Sequence, residues 1–106
     1  MAVTSKFHQE CYRFLMQIPK GKITTYKELA KAMDSRAWRA VGSAMSNNPN
    51  LMTVPCHRVI RSDGRIGSYA LGEAEKERLL IQEGIPVESG RIVNFQNFLH
   101  DWDLHQ

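Results

Sequence analysis

Cys56 and His57 stand side by side in Thr53-Val54-Pro55-Cys56-His57-Arg58-Val59-Ile60, between an apolar approach and an apolar exit. Cysteine is a strong nucleophile only as its thiolate, so its use depends on a neighbour that lowers its pKa or takes its proton. On a regular strand adjacent side chains point to opposite faces, and His57 could not reach Cys56. Pro55 argues for a turn instead, because it fixes its own backbone and withholds a donor. In a tight turn the pair can converge, with His57 as base. The bland alternative is a small buried hydrophobe beside a satisfied core histidine. A carboxylate that orients His57 would complete a nucleophile–base–orienter set. Glu73, Glu75, Glu77 and Glu83 all lie on the helix that follows. Spacing leaves the choice among them open, and for at least three a solvated helix charge is the simpler reading.

The elements that must position this pair are mostly helical. Ser5 to Gln17 carries Phe7, Cys11, Phe14, Leu15 and Ile18 at helical spacing, with Pro19 as the stop, so Cys11 reads as core. Thr25 with Glu28 is a capping box opening a short helix, Tyr26 to Met33, with Leu29, Ala30 and Met33 inward. Asp34-Ser35 breaks it and caps a second helix, Arg36 to about Asn47. Trp38, Val41, Ala44 and Met45 form its apolar face, and Arg36, Arg39, Ser43 and Asn47 a polar one. Two short helices with arginines and small residues on the second match a DNA-binding helix-turn-helix. An ordinary helical hairpin with a solvated face fits the spacing equally well.

Asn47-Asn48-Pro49-Asn50 is a turn signal, Val59-Ile60-Arg61 a short strand, and Ser62-Asp63-Gly64-Arg65 a tight turn from which Ile66 returns. Gly67 to Gly72 is a loop with an exposed tyrosine. Glu73 to Glu83 is a helix with Ala74, Leu79 and Leu80 buried and Gly84 as its stop. Val87 and Ile92-Val93 flank a small hairpin, and Phe95, Phe98, Leu99 and Trp102 suggest a short terminal helix. His8, His100 and His105 have no partner spacing and read as surface residues.

Composition sets the limits. With 106 residues, 42% of them hydrophobic, the chain reads as one globular domain, residues 1–106, mainly α with small β hairpins. The net charge of +3 suits an anionic partner. Two cysteines form no disulfide framework, which fits a reducing cytoplasm. Neither a leader nor an apolar run of membrane-spanning length is present, so no membrane partner is expected. Zinc-spaced Cys/His clusters and Gly-rich phosphate cradles are missing from the sequence, so neither metal nor cofactor is expected.

Pro55-Cys56-His57-Arg58-Val59, preceded by Ala40-Val41-Gly42-Ser43-Ala44-Met45 and Asn48-Pro49, resembles the O6-alkylguanine-DNA alkyltransferase family, the methylated-DNA–protein-cysteine methyltransferases. The similarity continues through Gly64, Gly67, Tyr69, Gly72, Lys76, Leu79-Leu80 and Glu83-Gly84, covering roughly residues 5 to 87. It matches the family's DNA-binding, catalytic domain and not the additional N-terminal domain that members usually carry. The resemblance implies a compact, winged-helix-like helix-turn-helix fold and a monomer that repairs double-stranded DNA. It further implies that Cys56 takes an alkyl group from O6 of guanine once and is not regenerated. His57 would deprotonate it through a water, Glu83 orient the histidine, Asn48 hold the turn, and Tyr26 protonate the departing guanine.

The same resemblance implies that the second short helix enters the minor groove, where small residues are needed. Ala37, Ala40, Gly42, Ser43 and Ala44 match that requirement, with Arg36 beside them and Arg39 filling the gap left by a flipped base. Tyr69, with Ser68 and Ala70 in its loop, would wall the base pocket, and the Val59 carbonyl would accept from the guanine amino group. Two features depart from the family pattern. The run after Tyr69 is Ala70-Leu71-Gly72 where the family usually offers a serine and paired glycines, and the turn between the short helices is one residue shorter. The alternative is an alkyltransferase-like lesion binder that recruits other repair factors, but such proteins typically replace the cysteine. A general DNA-binding module with an inert Cys56 is the third reading.

Overall fold

The computed structural model describes residues 6–48, 51 and 53–102. Expectations placed on Ser5, Pro49, Asn50 and His105 lie outside these residues. Helix α1 runs Lys6–Leu15, ending two residues before Gln17, and buries Cys11, Tyr12 and Leu15. Phe7 and Phe14 are half-buried against the same cluster. The Tyr12 hydroxyl donates to the Ala44 carbonyl at 2.8 Å, which satisfies the polar end of a buried phenol and ties α1 to the third helix.

Helix α2, Tyr26–Ala32, opens on Thr25, whose Oγ1 accepts from the Glu28 amide at 3.0 Å. Leu29 and Ala30 are buried and Met33 half-buried, as the pattern required. Asp34 ends the helix with a φ of 57°, a conformation that aspartate tolerates better than most residues. Helix α3, Trp38–Ser46, starts two residues later than Arg36, after the Ser35 Oγ has accepted from the Ala37 amide at 3.0 Å. Val41, Ala44 and Met45 face inward. Trp38, expected with them, is 43% exposed. It is the first residue of the later-starting helix, and its ring packs between Lys27 and Arg39 instead of in the core.

Strands β1 (Thr24–Thr25) and β2 (Val59–Ile60) pair in parallel, Thr24 with Val59 and Thr25 with Ile60, which no hairpin reading anticipated. The expected hairpin is β3 (Val87–Glu88) with β4 (Arg91–Ile92). The turn at Ser62–Arg65 is closed by the Gly64 amide on the Arg61 carbonyl (3.0 Å) and the Arg61 amide on the Arg65 carbonyl (2.9 Å). The return then leaves β2: the Ile66 amide donates to Gly90 and the Ile92 amide to Gly64. Helix α4, Glu73–Gln82, ends at Gly84 (φ +88°), where the Ile85 amide bonds the Leu80 carbonyl. It buries Lys76 and Leu80, whereas Ala74 is exposed and Leu79 half-buried.

Two apolar clusters result. One joins α1, α2 and α3 to Val54, Cys56 and Val59. The other gathers Ile23, Ile60, Ile66, Leu80, Ile85 and Ile92 around α4 and the hairpin. Phe95–Phe98 is a single 3-10 turn and not a helix reaching Trp102. His8 and His100 are half-buried, correcting their reading as surface residues. His8 lies 6.3 Å from Tyr12, and His100 packs edge-on to Trp102 at 4.6 Å.

Candidate active site

Cys56, His57 and Arg58 form a single 3-10 turn between Pro55 and β2, the tight turn that Pro55 suggested. Cys56 is 3% exposed and His57 8%. Asn48, just past α3, donates through Nδ2 to the Val54 carbonyl (3.1 Å) and to Cys56 Sγ (3.4 Å), fastening the turn to the helix. Of the four glutamates left open, Glu83 faces the turn. Its Oε2 lies 2.9 Å from His57 Nε2. Arg58 grips the same carboxylate with a fork, Nε to Oε1 at 2.9 Å and Nη2 to Oε2 at 2.7 Å. Its Nη1 donates to the Ile18 carbonyl at 2.8 Å, so the turn is anchored to the segments that follow α1 and α4. Glu75 is instead engaged by Arg78.

The electrostatics follow from burial. Desolvation pushes His57 below its ordinary range despite the Glu83 carboxylate, so the imidazole is neutral at neutral pH. Burial alone would raise Glu83, but hydrogen bonds from Arg58 and His57 outweigh it and hold the carboxyl below its usual range. A carboxylate can only accept, so Nε2 carries the imidazole proton and Nδ1 the lone pair. Nδ1 is buried and hydrogen-bonds to no group among the described residues. Burial raises the Cys56 thiol, opposed by the Asn48 hydrogen bond and the charge of Lys76.

Lys76 is fully buried, and its Nζ donates to the carbonyls of Val59 (2.7 Å) and Ser68 (3.1 Å). Desolvation lowers its pKa to about 8. Arg58 is paired with the Glu83 carboxylate, which leaves Lys76 as the buried charge that acts on Cys56. A thiolate at Cys56 would face that cation, which lowers the cost of forming it.

A cavity of about 620 Å³ opens on Cys56, a volume in the range of small-ligand pockets. Tyr26, Arg39, Gly42, Ser68, Tyr69 and Ala70 line it, with Trp38, Met45, Ser46, Arg61, Gly67 and Glu73. The β1–β2 pairing explains how Tyr26 arrives there: Thr25 sits opposite Ile60, so the first residue of α2 lies beside the chain that leaves the nucleophile. Burial and the neighbouring Cys56 raise the Tyr26 hydroxyl, keeping it protonated. Tyr69 stands edge-on to His57 at 6.5 Å. Asn48, His57, Val59 and Glu83 support the turn without lining the cavity, and Arg36, Ala37, Ala40 and Ser43 lie at or near α3 outside the lining. No group of three or more His, Cys, Asp or Glu among the described residues could hold a metal ion, and no helix there is long and apolar enough to cross a membrane.

Sequence reasoning assigned Arg58 and Lys76 no site role beyond their place in the family pattern, and read Trp38 as part of the apolar face of its helix. For Lys76 a signal existed. Lys76, Leu80 and Glu83 fall at steps of four and three, so two charges sit on the inward stripe of α4 and must find buried partners.

The chain matches the family model described as the 6-O-methylguanine DNA methyltransferase DNA-binding domain over residues 6–85. The chain belongs to this family. A bifunctional methyltransferase/endonuclease from Picrophilus torridus is 46% identical over 98 residues, 88% of this chain and 33% of that protein. A methylated-DNA–protein-cysteine methyltransferase from Saccharolobus islandicus is 43% identical over 84 residues, 79% of this chain and 54% of that protein. This alkyltransferase-family chain therefore spans about a third to a half of these relatives. The crystal structure of S. pombe Atl1 in complex with damaged DNA containing O6-carboxymethylguanine superposes with a TM-score of 0.81 at 29% identity, covering 95% of this chain and 99% of that one. The mainly α fold with small strands is that of the family's DNA-binding domain.

Proposed function

We propose that this protein draws an O6-alkylguanine out of duplex DNA into the cavity and transfers the alkyl group to Cys56 Sγ, once per chain. The observation that carries this reading is that one cavity brings Cys56, Tyr26, Tyr69 and Arg39 together, with the Asn48 and His57–Glu83 contacts behind it. His57 Nδ1, buried and holding a lone pair, takes the thiol proton through a bridging water, and Glu83 stabilises the imidazolium. The thiolate attacks the alkyl carbon in line. A carbon–sulfur bond forms, the carbon–O6 bond breaks, and its electron pair goes to guanine. Tyr26 gives its proton to a ring nitrogen of the departing base and is reprotonated by way of His57, so the proton count closes. The product is a thioether, and Cys56 is spent.

Tyr69 walls the base and the Val59 carbonyl accepts from the guanine amino group, a carbonyl having two lone pairs of which Lys76 uses one. The exposed face of α3 meets the minor groove. Gly42 supports this placement. A Cβ there would meet nothing within 4 Å, so the fold does not require a glycine that lowers helix stability. Close approach by a partner does. Ala37, Ala40 and Ser43 serve the same approach, Arg36 adds charge, and Arg39 replaces the extruded base.

A second reading, a lesion binder that flags damage without transfer, is favoured by the likeness to Atl1, with a TM-score of 0.81, and by Ala70 and Leu71 in the pocket loop. The test is incubation with a duplex carrying one O6-methylguanine, followed by proteolysis and peptide sequencing by mass spectrometry. Methylation confined to Cys56 supports the transferase. Selective binding with an unmodified Cys56 supports the binder.

A further inference from the structure

Trp38 is 43% exposed at the first position of α3, an unusual place for the largest apolar side chain. Two cations from two helices lie over its ring: the Lys27 Nζ of α2 at 5.7 Å from the centroid and the Arg39 guanidinium carbon at 5.2 Å. Both are inside the range of cation–π attraction. Among the described residues Arg39 makes no ion pair, so the indole is what holds its guanidinium. Trp38 and Arg39 both line the cavity that opens on Cys56.

We propose that Trp38 is a positioning residue for base extrusion, its indole holding the Arg39 guanidinium at the cavity mouth so that it is already placed to fill the gap a guanine leaves. This rests on the base-flipping reading above. An unrestrained arginine side chain has many rotamers to lose on entering a base stack, and a partner that orders it beforehand removes part of that cost. The guanidinium is planar and has two faces, so it can keep one against the indole while it enters the gap, and the ordering contact is retained in the extruded state. Lys27 adds a second positive charge at the same ring, suited to the phosphates of the approaching strand.

The experiment uses the full chain and a duplex with 2-aminopurine beside an O6-methylguanine, read at saturating protein so that binding and extrusion are separated. Extrusion of the lesion unstacks the 2-aminopurine and raises its fluorescence. Trp38→Ala should lower the extrusion equilibrium about fivefold, within the rotamer freedom that an unrestrained arginine gives up on being ordered. Trp38→Phe should restore most of it. A wild-type signal from Trp38→Ala overturns the proposal. Equal loss in Trp38→Ala and Trp38→Phe, with a lowered Tm in both, also overturns it in favour of a structural role. A wild-type protein that binds the lesion duplex without any fluorescence rise defeats the base-flipping reading itself.

Discussion

Glu83 is the residue on which the site turns, because one carboxylate serves both His57 and Arg58. Glu83→Gln keeps the shape but loses the charge, freeing the imidazole tautomer; alkyl transfer should slow by about 100-fold, within the range of general acid–base catalysis. Single-turnover rates on an alkylated duplex measure it. The pH dependence has a definite sign. His57 has a folded-state pKa below its ordinary 6.5, so the stability gained by keeping it neutral is full above 6.5 and is lost as pH falls from there towards the folded value. Glu83, also lowered, adds a loss in the same direction below 4.5. Denaturant titrations near pH 7 and near pH 5 should therefore show wild type losing more stability than His57→Gln over that interval, and equal losses would contradict the buried neutral histidine. Lys76 acts on the thiolate. Lys76→Met should shift the pH profile of transfer upward, since one buried cation near Cys56 is gone. An unmoved profile would show its charge to be irrelevant. The Cys-His-Arg turn was legible from Pro55, but the choice of Glu83 was not legible from spacing. It needed the family resemblance, because pairing with His57 depends on how α4 docks against the turn.

At the scale of elements, α3 and the Asp63-Gly64 turn show opposite uses of glycine. Gly42→Ala should stabilise the fold by about 0.5–1 kcal/mol, as alanine is the better helix former and its methyl meets nothing. It should also weaken duplex binding, because the methyl lies on the face assigned to the minor groove. Thermal unfolding and a binding titration separate the two effects, and unchanged affinity would remove α3 from the interface. Gly64 has a φ of +91°, and a Cβ would come within 2.9 Å of Phe95 Cδ1. Gly64→Ala should cost on the order of 1–3 kcal/mol, seen as a lowered Tm. The α2–α3 hairpin was readable from the Thr25–Glu28 cap and the Asp34-Ser35 break. The β1–β2 pairing was not, since two-residue parallel strands far apart in sequence leave no local pattern. Trp38 misled because helical periodicity does not reveal which turn of a helix overhangs its core.

At the scale of the whole molecule, the proposed function makes binding and chemistry separable, α3 and the cavity mouth serving the first and the Cys56 turn the second. Cys56→Ala should abolish transfer and leave affinity for damaged duplex largely intact, whereas Arg39→Ala should weaken both. The +3 charge suited an anionic partner, but spacing left the helix-turn-helix level with an ordinary helical hairpin, and the family resemblance decided between them. The inward charges of α4 are marked only by the spacing of Lys76 and Glu83 with Leu80, a signal easily passed over because a lysine on a helix ordinarily reads as solvated. Intact-protein mass spectrometry after incubation with excess duplex bearing one O6-methylguanine tests the central claim most directly. The account predicts a gain of one methyl mass per chain, never more, and none in Cys56→Ala. A chain that binds the duplex selectively yet keeps its original mass would contradict it.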